Sequence, residues 1–235
     1  MRKSRIEYAL EKAQYSGQRF LRITMIRIVT VEREYGCGGG EIAEQLAKNL
    51  GWKLWDQCLT EEIARLANCP KAVVERREER NDPLYYRLFK SFLRGSYEGS
   101  INAHKLKLVD SEGILKFTQD VVQHAASAGN CVIVGRGSQL FLKDRQDTLR
   151  VFLYAPREDK VRRLLARGKS EQEAHELVDT VDSERADFIA KYFKVEWPNR
   201  SIYHTMINTA IGDENVVQMI ADFMKTLDSK LAAHV

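Results

Sequence analysis

MIRIVTVEREYGCGGGEIAEQLAKNL, residues 25–50, joins an apolar strand, a glycine-rich turn and an amphipathic helix. Ile26, Ile28, Val29 and Val31 are β-branched and nearly continuous, the pattern of a strand buried on both faces of a parallel sheet. Gly36, Gly38, Gly39 and Gly40 follow at once. Ile42, Ala43, Leu46, Ala47 and Leu50 then recur at helical spacing, so the helix has one apolar face for the sheet and points its N-terminus back at the glycines. That geometry gathers free backbone N–H groups and the positive end of a helix dipole in one concavity, which suits a phosphate.

A phosphate-binding P-loop has the form G-x-x-x-x-G-K-[ST], in which the lysine reaches the transferred phosphate and the hydroxyl holds magnesium. Aligned on the helix start, the corresponding positions here are Arg33, Glu34, Tyr35, Gly36, Cys37, Gly38, Gly39 and Gly40. Arginine stands at the first glycine, and glycine at both the lysine and the hydroxyl. Two readings stay open: a divergent phosphate loop, and a strand-to-helix turn without a ligand. The glycine density favours the first, because glycine weakens folding unless something must approach the backbone closely. A dinucleotide-binding G-x-G-x-x-G is unmatched, and no acidic residue ends a second strand at the usual separation.

At 235 residues the chain is long enough for one α/β domain with an elaboration. A hydrophobic content of 44% and a charged content of 30% are those of an ordinary globular protein. The net charge of +4 favours an anionic ligand such as a nucleotide but does not make a nucleic-acid surface. Cys37, Cys58, Cys69 and Cys131 are scattered without metal-ligand spacing, so neither a zinc site nor a disulfide framework is indicated. A reducing cytoplasm is the simplest setting. No apolar run approaches the roughly 20 residues that span a bilayer, so no membrane partner is expected, while monomer and oligomer both stay open.

Residues 1–22 read as a basic, weakly amphipathic helical extension. Trp52 to Trp55 predicts a second strand ending in Asp56, which serves either as a ligand contact or as the N-cap of a helix over Leu59 to Ala67. From Lys71 to Gly99 the chain is charged and aromatic; carboxylates neutralise its arginines, so solvated helices over a cleft explain it better than nucleic-acid contact. A loop follows over residues 95–109, then an amphipathic helix marked by Ile114, Phe117, Val121 and Ala125. Cys131 to Val134 is a third strand ending in Gly135-Arg136-Gly137-Ser138, where the guanidinium suits a phosphate, a base edge or a structural carboxylate. Leu149 to Tyr154 is a fourth strand, and Pro156 opens a helix bearing Arg162, Arg163 and Arg167. A charged segment spans Ser170 to Lys194. Met206 to Thr209 is a fifth strand, and Val216, Ile220, Phe223 and Leu227 mark the closing helix. Strands alternating with helices imply right-handed crossovers and a parallel sheet.

This layout resembles the nucleoside monophosphate kinases, cytidylate kinases most closely. The opening IVTVEREYGCGGGEIAEQLAKNLGWKLWD, with GRGS and VDSERADFIAKYF, is similar to the divergent cytidylate kinase-like family over most of residues 25–228. The resemblance implies a three-layer α/β P-loop kinase fold with a five-stranded parallel sheet, a helical nucleotide-binding insertion over about 57–128 and an arginine-bearing lid over about 157–200, all within a domain of residues 23–235. Cytidylate kinases carry a G-R-D stretch after the third strand; here Arg136 matches while Gly137 replaces the aspartate. Their later R-D-x-x-D-S-x-R stretch finds Asp179, Asp182, Ser183 and Arg185 in place, with Val178 at the first arginine.

Such a resemblance implies ATP-dependent phosphoryl transfer to a nucleoside monophosphate, CMP or dCMP, with Mg2+ arriving on the ATP and no metal-ligating residues assigned. Positioning and cations supply most of the catalysis of that reaction. The residues implied are Gly36, Cys37, Gly38, Gly39, Gly40 and Glu41 for the ATP phosphates, Arg162, Arg163 and Arg185 for catalysis, and Asp56, Arg136, Ser138 and Asp182 for the acceptor. Arg33, at the opening of the loop, has two readings from the residues themselves: a catalytic cation that folds over the loop in place of the missing lysine, or an ion-pair partner of Glu32, Glu34 or Glu41. An exposed helix face is the competing reading for Arg162 and Arg163. Two other classes fit the departures from the pattern: a kinase of another small molecule, and a nucleotide-binding regulatory protein without turnover.

Overall fold

A computed structural model describes residues 25–56 and 111–233, with the backbone alone at 111–114 and 230–233. Five strands, β1 (Ile28–Arg33), β2 (Lys53–Trp55), β3 (Cys131–Val134), β4 (Thr148–Tyr154) and β5 (Thr205–Asn208), form one sheet in the order β2-β3-β1-β4-β5. All four pairings are parallel. Each crossover among the described residues carries helix: α1 (Gly39–Leu50), α2 (Ser111–Ala128), α3 (Ser138–Phe141), α4 (Arg157–Ala166) and α5 (Glu171–Phe193), with α6 (Asp213–Ala233) closing the chain. The N-terminal helix, the helix over residues 59–67, and the helices and loop expected between 71 and 109 lie outside the described residues.

Side chains of a strand alternate between faces, so β1 divides the core in two. Val29 and Val31 pack with Ile42, Ala43, Leu46 and Ala47 of α1 and with Val216 and Ile220 of α6. Ile28 faces the opposite layer, among Val121, Val122 and Ala125 of α2 and Phe188 and Ile189 of α5. These two apolar layers around a buried sheet are the three-layer α/β arrangement.

β1 runs further than the apolar run alone suggests. Glu32 and Arg33, the residue at the opening of the loop, pair with Phe152 and Leu153 of β4 and are buried as the strand's last residues. The longer β4 supplies two more rungs, and Glu34 N–H still donates to the Leu153 carbonyl at 2.9 Å. A charged pair is thereby carried into the floor of the sheet's carboxyl end. β5 ends one residue early, and Thr209 begins a 3-10 turn with its hydroxyl turned inward.

Candidate functional site

The turn after β1 is built by backbone conformations that side chains rarely tolerate. Gly36 and Gly38 have φ of +80° and +85°, and Gly38 is the N-cap of α1 without any side-chain capping hydrogen bond. No side chain caps the first turn, which leaves its N–H groups open to an anion except that of Gly39, which bonds the Cys37 sulfur. From below, the Thr209 hydroxyl donates to the Cys37 carbonyl at 2.7 Å, tying the turn to the end of β5.

Cys37 offers that concavity only its backbone. Its thiol points into the core, 3.6 Å from the Leu153 carbonyl, and burial pushes its pKa up to about 12. The thiolate is the reactive form, so Cys37 should resist iodoacetamide at pH 8 in the native protein and be labelled fully in denaturant. Peptide mass mapping of both samples reads this, and fast native labelling at Cys37 would contradict the packing.

α4 lies against the outer side of the turn. A Cβ on Gly36 would stand 3.2 Å from the Lys160 Cβ, and one on Gly38 would stand 2.4 Å from the Arg163 guanidinium. Arg163 is fixed there by a two-pronged pair with Asp213 at the start of α6, at 3.0 and 2.6 Å. Tyr35 anchors α4 and α5 through Val161, Leu164, Ala174, Val178 and Val181.

Behind Tyr35 sits a network of buried charges. Asp182 accepts from the Tyr35 N–H at 2.8 Å, from Arg185 at 3.2 Å and from Lys160 at 3.4 Å. Lys160 also donates to Glu34 at 3.0 Å, and Arg185 donates to the Arg33 carbonyl at 3.0 Å. Burial opposes the charge of Lys160, but its bonds to Glu34 and the charge of Asp182 outweigh it and raise its pKa. Burial pulls Arg185 the other way, helped by nearby Arg33.

A second charged group lies across the ends of β1 and β3. Glu32 accepts from the Arg33 N–H at 3.0 Å, from the Arg33 guanidinium at 3.4 Å and from Gln139 at 3.0 Å. Gln139 is in turn bonded to the buried Tyr203. Arg136, held at φ +59°, is completely buried with Asp56, Arg33, Arg185 and Glu32 as its electrostatic neighbours. Desolvation lowers its pKa to about 9, which leaves it charged at neutral pH. Arg33, Arg136, Arg185 and Lys160 thus face Glu32, Glu34, Asp56 and Asp182, four cations against four carboxylates. Ser138 is buried nearby at the start of α3, and its hydroxyl makes no hydrogen bond among the described residues.

Between turn and cluster opens a small pocket lined by Arg33, Glu34, Gly36, Gly38 to Glu41, Arg167 and Arg185 among others. Arg33, Arg185 and the glycines are thus brought together, with Arg163 against the turn's outer side. Glu41 is paired with Arg167 at the mouth. Arg162 is not brought there: its side chain is 73% exposed and pairs with Asp159 one helical turn back. α4 turns Lys160, Val161 and Leu164 inward and position 162 consequently outward, onto the exposed helix face that is its competing reading. The cation that this helix does bring to the network is Lys160, whose sequence signal is its place beside Val161 on the apolar side. Asp56 is buried beside Arg136; a helix that it would cap falls outside the described residues.

A model of the cytidylate kinase-like family matches residues 28–211. Among solved structures, an uncharacterized protein from Eubacterium ventriosum superposes with a TM-score of 0.61 at 21% identity, covering 86% of this chain and 99% of that one. Shikimate kinase from Bacteroides thetaiotaomicron gives a TM-score of 0.49 at 15% identity, over 84% of this chain and 98% of its own. Shikimate kinase from Acinetobacter baumannii in complex with shikimate gives 0.47 at 17%, over 87% and 96%. A comparison with curated proteins returned no match. The family match spans all five strands and the whole glycine turn, and with it the chain belongs to the cytidylate kinase-like family.

Proposed function

We propose that this protein transfers the γ-phosphoryl group of ATP to a nucleoside monophosphate, CMP or dCMP. The observation that carries this reading is the juxtaposition of an uncapped glycine turn with buried arginines at the carboxyl ends of β1 and β3. In the reaction a phosphate oxygen of the acceptor bonds to the γ-phosphorus while the bond to the β–γ bridging oxygen breaks, giving ADP and a nucleoside diphosphate. The N–H groups of residues 36–41 hold the donor phosphates, and Arg33 and Arg185 meet the charge that spreads over the moving group. Arg136, with Asp56 and Ser138 beside it, receives the acceptor. Arg163 braces the turn from outside. Residues of about 157–200 act as the lid and the segment of about 57–128 as the nucleotide-binding insertion, in a cytoplasmic setting that supplies both nucleotides.

Magnesium, when present, neutralises phosphate charge. An ion that arrives on the nucleotide's phosphates needs no protein cage of its own.

One observation favours a second acceptor class, another phosphorylated or hydroxyl-bearing metabolite. Gly137 stands where cytidylate kinases carry the G-R-D aspartate; its φ is +67°, and a Cβ there would lie 2.8 Å from the Phe193 ring. A side chain there would be strained at this φ and would need the Phe193 ring to shift, which favours an acceptor that does not depend on that aspartate. ADP release measured across CMP, dCMP, UMP, AMP and a panel of hydroxylated metabolites separates the readings. CMP- or dCMP-dependent release is the expected outcome. Release only with a non-nucleotide acceptor supports the second class, and ATP binding without release under any acceptor makes the protein a nucleotide sensor.

A further inference from the structure

The residue at the lysine position of the loop is Gly39, and its surroundings give a reason. A Cβ built on Gly39 would lie 2.8 Å from both the Cβ and the Cγ of Arg33. These are the root atoms of the arginine, fixed by the buried strand β1, and they cannot swing aside as a side-chain tip can. Gly39 has ordinary helical φ, so its lack of a side chain answers to space and not to backbone strain. At the other end, the Arg33 guanidinium lies over Gly135, where a Cβ would meet the Nη1 at 2.1 Å. Two glycines, one at each end, thus form a socket through which the arginine passes from the floor of the loop toward the end of β3. Glu32 holds the guanidinium at the far end, and Gln139 holds Glu32.

We propose that Arg33 and Gly39 are one reciprocal exchange: the cation that a P-loop presents from its seventh position enters here from its first, and each residue excludes the usual residue at the other position. The inference rests on the kinase reading for its catalytic half, while its steric half stands on the geometry alone. A first-position glycine leaves room for a side chain at 39; an arginine at 33 fills that room. The missing lysine is then a relocated positive charge and not a lost one. Arg33 differs from a lysine in bringing a planar fork, whose outer nitrogens can bond two oxygens together. Gly135 belongs to the same device, because the guanidinium lies over its Cα.

The test is a pair of double-mutant cycles on the full chain. Thermal unfolding of Gly39→Ala, Arg33→Gly and Arg33→Gly/Gly39→Ala reads the steric half. Gly39→Ala should lower the midpoint in the parent and not in the Arg33→Gly background. Equal effects in both backgrounds overturn the proposal. MgATP titration and ADP release of Arg33→Gly, Gly39→Lys and Arg33→Gly/Gly39→Lys read the second half. Each single variant should lose at least tenfold in MgATP affinity and about a thousandfold in turnover, and the double variant should recover at least tenfold over either. A double variant no better than the worse single one, with circular dichroism like the parent's, overturns the relocation. A parent that turns over no acceptor defeats the kinase reading; the thermal cycle and MgATP affinity still decide the exchange.

Discussion

Replacing Asp182 by alanine is expected to cost the fold about 3 to 5 kcal/mol, because it strips one partner from a buried charge network. Its carboxylate is the single acceptor shared by the Tyr35 N–H, Arg185 and Lys160. Without it, Arg185 keeps only the Arg33 carbonyl among its described acceptors and the backbone of the glycine turn loses its support at Tyr35. Asp182→Asn should cost less, since an amide oxygen still accepts from Tyr35 and Arg185. Urea unfolding of the three proteins measures both effects. A loss below about 1 kcal/mol for Asp182→Ala would mean that the network adjusts by hydration and is not what fixes the turn.

The second large effect is on ligand binding. Arg136→Ala should weaken CMP binding by about 2 to 5 kcal/mol, roughly 30-fold to several thousandfold, if Arg136 holds the acceptor phosphate in a desolvated site. Arg136 is completely buried, and its neighbours Asp56 and Glu32 already balance its charge, so it has the rigidity a clamp needs. Arg136→Lys should recover only part of the loss, because an ammonium cannot reproduce the fork. Calorimetric titration with CMP reads this, with MgATP affinity as the internal control. CMP affinity unchanged in Arg136→Ala, with folding intact, would make Arg136 a structural partner of Asp56 and Glu32.

What could be read beforehand was whatever depends on neighbours in sequence. The β-branched run of β1, the glycines, and the spacing of Ile42, Leu46 and Ala47 place strand, turn and helix within a few residues of their positions, because each signal is local. The five parallel strands follow from alternation of buried runs with amphipathic helices. The length of β1 is less legible: charges ordinarily end a buried strand, whereas at Glu32 and Arg33 the longer β4 continues the ladder and one charge neutralises the other. Lys160 is the buried cation on the apolar side of α4, and its inward position follows from the same helical phase that turns Arg162 outward. The socket around Arg33 was beyond reach, since it depends on how closely position 39 returns to position 33 and on Gly135, about a hundred residues on.

Phosphoryl transfer itself is tested most directly by following the label from γ-³²P-ATP in a single turnover with CMP and excess enzyme. The label should move into CDP, with ADP formed in equal amount, and the yield should collapse in Arg33→Gly. Label recovered only as ATP or as inorganic phosphate, with CMP and with dCMP alike, would contradict transfer to a nucleotide at this site.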